Sequence, residues 1–481
     1  MAVDMEDQIN VIDMRTALAR SAIAPVPAPI PLPPPPVLQE QIVTEDNAAM
    51  QFAAAFGDRL RYCHDSGQWY EWTGFVWQQN KTDKAFSWAR EFVRHLSQHE
   101  PGKVRYVTGK AAFASSVERF CRSDPALAVT SDSWDKDQML LGTPGGTVDL
   151  RTGVLRQSNP ADGITRSTSV IPAATADCPR WWSFLTEATG GDVMLMCFLQ
   201  AWAGYCLTGE TREHALVFVH GLGGNGKSVF LNALTGIMGA YAANAAMDTF
   251  TASKGDKHPT DLAMLRGARL VTASETEEGR AWAEARIKAM TGGDPITARF
   301  MRQDFFTFTP QFKLTVVGNH RPVLKNVDDA ARRRFNIVPF TQKPAVIDHQ
   351  LEDKLRAEWP GILRWAIDGC LAWQMHGLVR PAIVSAATAD YFSEQDLFGQ
   401  WLDDRCEVEI GNPHKWETVA ALYASWSSYA RYAGDDAGSV KAFNPKMLTK
   451  GLQPSRKAQA RGFAGIRLKP LMTPPMTDDG S

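Results

Sequence analysis

The rhythm of apolar and polar positions changes several times along this chain, and each change predicts a different element. Ala215-Leu216-Val217-Phe218-Val219 is an unbroken apolar run of β type, and Ser228 through Leu234 reads as a helix. Arg269–Glu275 and Phe312–Asn319 are two further strands, each closing on a polar side chain. Residues 211–345 therefore alternate strands and helices, as an α/β fold should. Residues 46–210 are aromatic-rich. There Trp69–Trp72 and Gly74–Trp77 predict a small hairpin, Gly145–Gly153 a turn, short strand and turn, and Trp181–Gly209 a mostly helical stretch. Helical pattern continues through residues 346–394. In Trp416–Ala430 the side chains Val419, Leu422, Tyr423, Trp426 and Ala430 share one helical face, which marks it as core. A helix over Asn444–Lys450 and a strand-like run over Ala460–Lys469 complete a last segment, 395–470, before a tail at 471–481.

The first 45 residues read differently. Residues 4–22 predict a short helix, and Ala24–Pro36 is a stiff polyproline spacer, since its fixed φ angles and missing donors exclude helix and paired strand. With 481 residues and 44% apolar composition, the chain can build two or three ordinary domains. Lys and Arg (51) nearly balance Asp and Glu (53), so any nucleic-acid surface must be local. Cys63, Cys121, Cys178, Cys197, Cys206, Cys370 and Cys406 are scattered without zinc spacing, which fits reduced thiols. No apolar run reaches the ~20 residues of a membrane span, and the acidic N-terminus lacks a secretory signal. A cytoplasmic protein is expected.

The sharpest chemical signal is Gly221-Leu222-Gly223-Gly224-Asn225-Gly226-Lys227-Ser228, a G-x-x-x-x-G-K-S loop between predicted strand and predicted helix. Glycines let backbone N–H groups close on phosphates, and the helix N-terminus adds partial positive charge. Gly221 through Ser228, with Val229 behind them, are the expected nucleoside triphosphate site. Lys227 reaches the β/γ-phosphates and Ser228 holds Mg²⁺ through its hydroxyl.

Hydrolysis needs an acid, a polar sensor of the γ-phosphate and a cation for the developing charge. Glu275, at the carboxyl end of its strand, is the expected acid and second metal ligand, with Glu277 next in line. Asn319, closing the later strand, can donate to the γ-phosphate or to the attacking water. In Asp328–Phe335, consecutive arginines on a helix diverge by about 100°, so Arg333 or Arg334 serves as an arginine finger, or the run is a basic surface. Between the strands, Arg299 and Arg302 stand among Phe300, Phe305 and Phe306, a mixture of cations and flat faces that suits a nucleic-acid-tracking hairpin. Core packing is the competing reading of that stretch.

In this order, GLGGNGKSVF, ARLVTASETEEGRAW, GGDPITARFMRQDFF, PQFKLTVVGNHRP and VDDAARRRF resemble the superfamily 3 helicases. More closely, the chain is similar to the helicase portion of phage/plasmid-type primase-helicases, related to those of satellite phages and poxviruses. LGTPGGTVDLRTG and WYEWTGFVW resemble that family's amino-terminal helicase-associated domain. The resemblance implies an AAA+-like P-loop core at 211–345 behind an α+β helicase-associated domain at 46–210. It implies a ring, usually a hexamer, moving 3′→5′ on single-stranded or forked DNA at the expense of ATP and Mg²⁺. It implies Glu275 as metal and water acid, Asn319 as sensor, and a finger from the arginine run. Arg299 and Arg302 fall in the family's central DNA-contacting hairpin; many relatives have lysine where this chain reads Arg302-Gln303. The host compartment would be a bacterial cytoplasm. Only about 45 residues precede the helicase-associated part, too few for a catalytic primase module. Primers are therefore expected from a separate primase, with a replication initiator as a further candidate partner.

The resemblance also implies a winged-helix-like segment at 395–470. Lys441, Lys446, Lys450, Arg456, Lys457, Arg461, Arg467 and Lys469 occur there with no acid between them, an electrostatic footprint for phosphates. Lys446, Lys450 and Arg461 are its expected DNA contacts. Asp132, Asp135 and Asp137 read as loop rather than as a two-metal site. The alternative function is an AAA+-like ATP-dependent switch or loader that binds DNA without unwinding it, which would need no pore hairpin.

Overall fold

The structure, a computed structural model, describes residues 43–252, 260–275, 280–302, 304–324, 328–457 and 460–470. The segment expected to hold a short helix and the polyproline spacer lies outside those residues, as does Glu277. The fold is mixed α/β. Two compact units result: one takes in the described residues through Pro322 with Arg333–Ser385, the other Val323–Arg332 with Ala386 onward. The expected boundaries near residues 210 and 345 both fall inside the first unit.

Its centre is a five-stranded, fully parallel sheet made of Leu216–His220, Ala242–Asn244, Leu270–Glu275, Lys313–Gly318 and Phe335–Pro339. Counted in chain order, the strands lie 5-1-4-3-2 across the sheet. All residues of Lys313–Gly318 are buried, as befits the middle strand of a parallel sheet. The sheet shares one core with the helices Lys227–Met238, Pro179–Ala188, Val193–Leu207 and Leu351–His376. Gly204 and Gly369 let the last two cross at backbone contact, since a Cβ on either would meet the other helix's main chain. Trp181 stacks on Phe230 (5.8 Å) and meets Trp365 edge-on, while Trp202 donates to Thr315 Oγ1 at 2.9 Å, tying the helix layer to the sheet.

Two buried cations fix the opposite edge. Arg269 donates to Leu207 O (2.6 Å) and Leu140 O (2.8 Å) and lies over Tyr241. The Lys313 ammonium donates to the carbonyls of Thr208, Glu210 and Gln311, and burial pushes its pKa down to about 7. Both cations meet carbonyls at or just past the end of Val193–Leu207, where the helix dipole favours positive charge.

The amino-terminal part of the same unit carries a four-stranded sheet, Trp77–Gln79, Gln68–Trp72, Leu60–Cys63 and Ala128–Val129 in spatial order. The expected hairpin is its Trp72↔Trp77 pair. Helices Glu45–Phe56, Lys84–Leu96 and Ala111–Cys121 pack their Phe52, Phe92 and Val117 against it. A meander of Leu140–Thr143, Gly146–Asp149 and Val154–Arg156 comes next. Asp135 accepts from Thr165, and Asp137 pairs with Arg151 at 2.7 Å, so the carboxylates of that stretch are separately engaged.

In the second unit, helices Leu397–Arg405, Val419–Tyr432 and Val440–Thr449 enclose Trp401, Leu422, Trp426, Phe443 and Met447. The last helix begins a turn before the expected Asn444: Ser439 caps it by accepting from Ala442 N–H, and Pro445 lies inside it rather than at its start. The run Ala460–Lys469 is two strands, Ala460–Ala464 and Ile466–Leu468, broken where Gly465 adopts φ +81°. Among the described residues no helix is long and apolar enough to cross a membrane.

Candidate nucleotide and DNA site

Sheet register brings the expected site residues to one edge. His220 pairs with Gly318, and Gly318 with Glu275, so three strands end level with one another. The loop 221–226 leaves from the first of these ends, Asn319 comes directly after the second, and Glu275 closes the third, about 10 Å across the sheet from the first. In open parallel sheets this carboxyl edge is where ligands bind.

The loop is shaped by close contacts on one side and openness on the other. Gly221 lies so near the Phe340 carbonyl and the Asn225 amide that a Cβ would overlap both. Asn225 Nδ2 donates to that same Phe340 oxygen, pinning the loop to the end of the fifth strand. Gly224 and Gly226 take φ of +79° and +83°, conformations that favour glycine, while Cβ positions at Gly223 and Gly224 face open space. The helix Lys227–Met238 starts directly behind, with Ser228 exposed in its first turn.

Lys227 is buried to 8% exposure, and its ammonium donates to Gly221 O (2.5 Å), Asn225 Oδ1 (2.9 Å) and Asn319 Oδ1 (3.0 Å). No carboxylate is among these partners, and desolvation lowers the Lys227 pKa. Three neutral oxygens thus hold a partly dehydrated cation next to an open, glycine-walled space. Lys227 and Asn319, 92 positions apart, meet here. Phe340 is a contributor that motif spacing did not single out; Asn225, already within the expected loop, anchors that loop to it through its side chain.

The other expected residues lie elsewhere in the first unit or in the second. Ile296–Ala298 and Phe306–Phe308 form an antiparallel hairpin, and Arg299, Phe300, Met301, Arg302 and Phe305 belong to its connection. Arg299 lies over Phe305 at 4.6 Å and Phe300 stacks with Phe306 at 5.7 Å; Arg302, exposed, holds φ +60°. The arginine run forms the short helix Asp329–Arg334. Arg333 is exposed, and its carbonyl accepts from Arg380, whereas Arg332 stacks on Phe392 at 5.0 Å. In the second unit Lys450 is paired with Asp396 at 2.5 Å, and the Lys446 ammonium lies over Trp426 and Phe398 at 5.3 and 5.7 Å. Arg461 is exposed. No cluster of three or more His, Cys, Asp or Glu suited to a metal ion occurs among the described residues.

The family model described as D5 N terminal like matches residues 49–190, and that of a family of unknown function matches residues 219–334. Relatives with provisional helicase names include L207/L206 of Acanthamoeba polyphaga mimivirus, 25% identical over 327 residues, and 022R of Frog virus 3 (isolate Goorha), 26% identical over 251. Together these matches support a phage or viral superfamily 3 primase-helicase family. The chain aligns over 62% and 47% of its own length with those two proteins, and covers 34% and 26% of theirs. It thus spans about a third or less of the curated relatives it matches. The apo C-terminal region of NrS-1 (305–718) shares the fold at a TM-score of 0.50 and 10% identity, covering 88% of this chain and 100% of that one.

Proposed function

We propose that this primase-helicase family member is an ATP-dependent DNA helicase of a phage, prophage or plasmid replication system, working 3′→5′ as a ring. The observation that carries the reading is the Lys227 ammonium, held by Gly221, Asn225 and Asn319 at the carboxyl edge of a 5-1-4-3-2 parallel sheet. That strand order and the strand–loop–helix at 216–238 support an AAA+-like P-loop core; the helices and hairpin of the second unit support a winged-helix reading.

The donor set fits a magnesium-bound triphosphate: an open glycine wall, a helix N-terminus, a hydroxyl at Ser228 and a strand-end acid at Glu275. Mg²⁺, when bound, supplies charge neutralisation to phosphate oxygens. Lys227 would exchange its resting neutral acceptors for phosphate oxygens, a charge-assisted bond roughly twice as strong. Asn319, released from Lys227, would orient the attacking water. Arg333 or Arg334 of a neighbouring copy would meet the developing charge. Arg299 and Arg302 would carry the strand, and a separate primase would make primers.

The test is strand displacement on forked DNA with ATP, beside native mass measurement. Unwinding that needs a 3′ tail, a multi-subunit assembly and complete loss in Lys227→Ala are expected. A monomer that does not hydrolyse ATP with single strands present overturns the proposal. Arg299→Ala with Arg302→Ala should abolish unwinding and keep ATPase; retained unwinding would remove the hairpin from the mechanism.

A further inference from the structure

On the proposed helicase reading the second unit is a winged-helix-like DNA-binding part, and the open point is which of its elements makes the contact. A reading helix needs side chains that pair with base edges, chiefly Arg, Lys, Asn or Gln in bidentate geometry. The Val440–Thr449 helix is poorly supplied. Lys446 is drawn over Trp426 and Phe398, Lys450 just past the helix is bound to Asp396, and the Asn444 amide oxygen is buried. Its other exposed positions are Val440, Lys441, Ala442, Pro445, Leu448 and Thr449. One cation, one hydroxyl and four apolar side chains do not make a base-reading set.

The hairpin after this helix is built the other way. Gln453–Lys457 and Ala460–Ala464 pair antiparallel with Arg456 directly opposite Arg461. Directly opposed side chains have Cβ atoms about 5 Å apart, and like charges there are destabilising. Both guanidinium groups are exposed, and neither has an ion-pair partner among the described residues. The hairpin beneath them is anchored. Lys457 donates to Pro413 O at 3.2 Å and lies over Trp416 at 5.6 Å. Gly462 sits where a Cβ would run into the Trp416 indole and the Glu417 carbonyl, so the strand presses flat against that ring. Two cations repelling each other on a fixed support are pre-organised for anions, and guanidinium groups suit phosphate.

We infer that this hairpin, through Arg456 and Arg461, is the DNA contact of the second unit, and that it grips the phosphate backbone of duplex DNA without reading sequence. Phosphate contacts give affinity and register but carry no base information. Lys446 and Lys450 hold the unit together and do not touch DNA.

The test uses the full chain without nucleotide and two labelled duplexes of unrelated sequence, titrated by fluorescence anisotropy at several salt concentrations. The wild type should bind both within about twofold. Arg456→Ser with Arg461→Ser should weaken both equally and flatten the slope of log affinity against log salt by about 1.8, the value for two lost phosphate contacts. Arg456→Lys with Arg461→Lys should restore most of the affinity, whereas Lys441→Ser should leave the sequence-independence intact. Unchanged affinity and slope in the double serine variant overturn the inference, as does a tenfold preference between duplexes that Lys441→Ser or Thr449→Ala erases. ATP turnover measured on the same preparations separates the two readings: a chain that never hydrolyses ATP yet loses duplex binding with the arginine pair defeats the helicase proposal alone.

Discussion

Replacing Gly221 with alanine tests the geometry of the loop directly. The added methyl would overlap the Phe340 carbonyl, which is backbone and cannot step aside cheaply, and the Asn225 amide, which would have to leave that carbonyl. Overpacking of this kind costs about 1–3 kcal/mol, and the lost hydrogen bond about 1 kcal/mol more. Some 2–4 kcal/mol against the competent loop corresponds to roughly 30- to 1,000-fold weaker binding at 1.4 kcal/mol per tenfold. Gly223→Ala is the control, because its Cβ would face open space. A fluorescent ATP analogue, titrated into both variants alongside urea unfolding, reads the difference. Gly221→Ala should fail to bind in the micromolar range, and Gly223→Ala should lose far less. Binding by Gly221→Ala within threefold of wild type, or equal loss in both, would refute the loop geometry.

Lys227→Met should lower ATPase by about 10²–10³ or more while the chain still unfolds cooperatively, because the methionine leaves neutral oxygens behind and no orphaned charge; turnover within tenfold of wild type would exclude Lys227. For Lys313 the sign is set by a folded pKa of about 7 against an ordinary 10.5. Between those values the unfolded chain binds more protons, so stability should rise with pH from 7 to 10.5. Lys313→Met should flatten that rise in urea midpoints; an unaltered pH slope would count against it. Burial pushes the thiols of Cys121, Cys178, Cys206, Cys370 and Cys406 up to about 12. A thiol reagent should therefore leave those five unlabelled in the folded chain at pH 8, and rapid labelling of any would contradict their burial.

Features legible in the sequence and features that were not divide along the range of the forces involved. The strand–loop–helix at 216–238 is local, and the strands ending at Glu275 and Gly318 stand where the apolar runs stopped. Their 5-1-4-3-2 order is long-range, and no pattern in the sequence announces it. The contact between Lys227 and Asn319 comes only from register. The basic run after Lys441 was visible as charge, but its contacts were not: Lys446 lies over aromatic rings and Lys450 is paired with a carboxylate 54 positions earlier. Val323–Arg332 belongs with the second unit although nothing in its composition says so.

The grip of Arg269 on both Leu207 and Leu140 gives the third strand a fulcrum. Glu275 sits at the far end of the lever that starts one residue after that arginine. The root of that strand is bonded to a helix end and to the meander at once. Whatever acts on the carboxyl end of this strand thus meets, at its other end, a residue bonded to both the helix end and the meander.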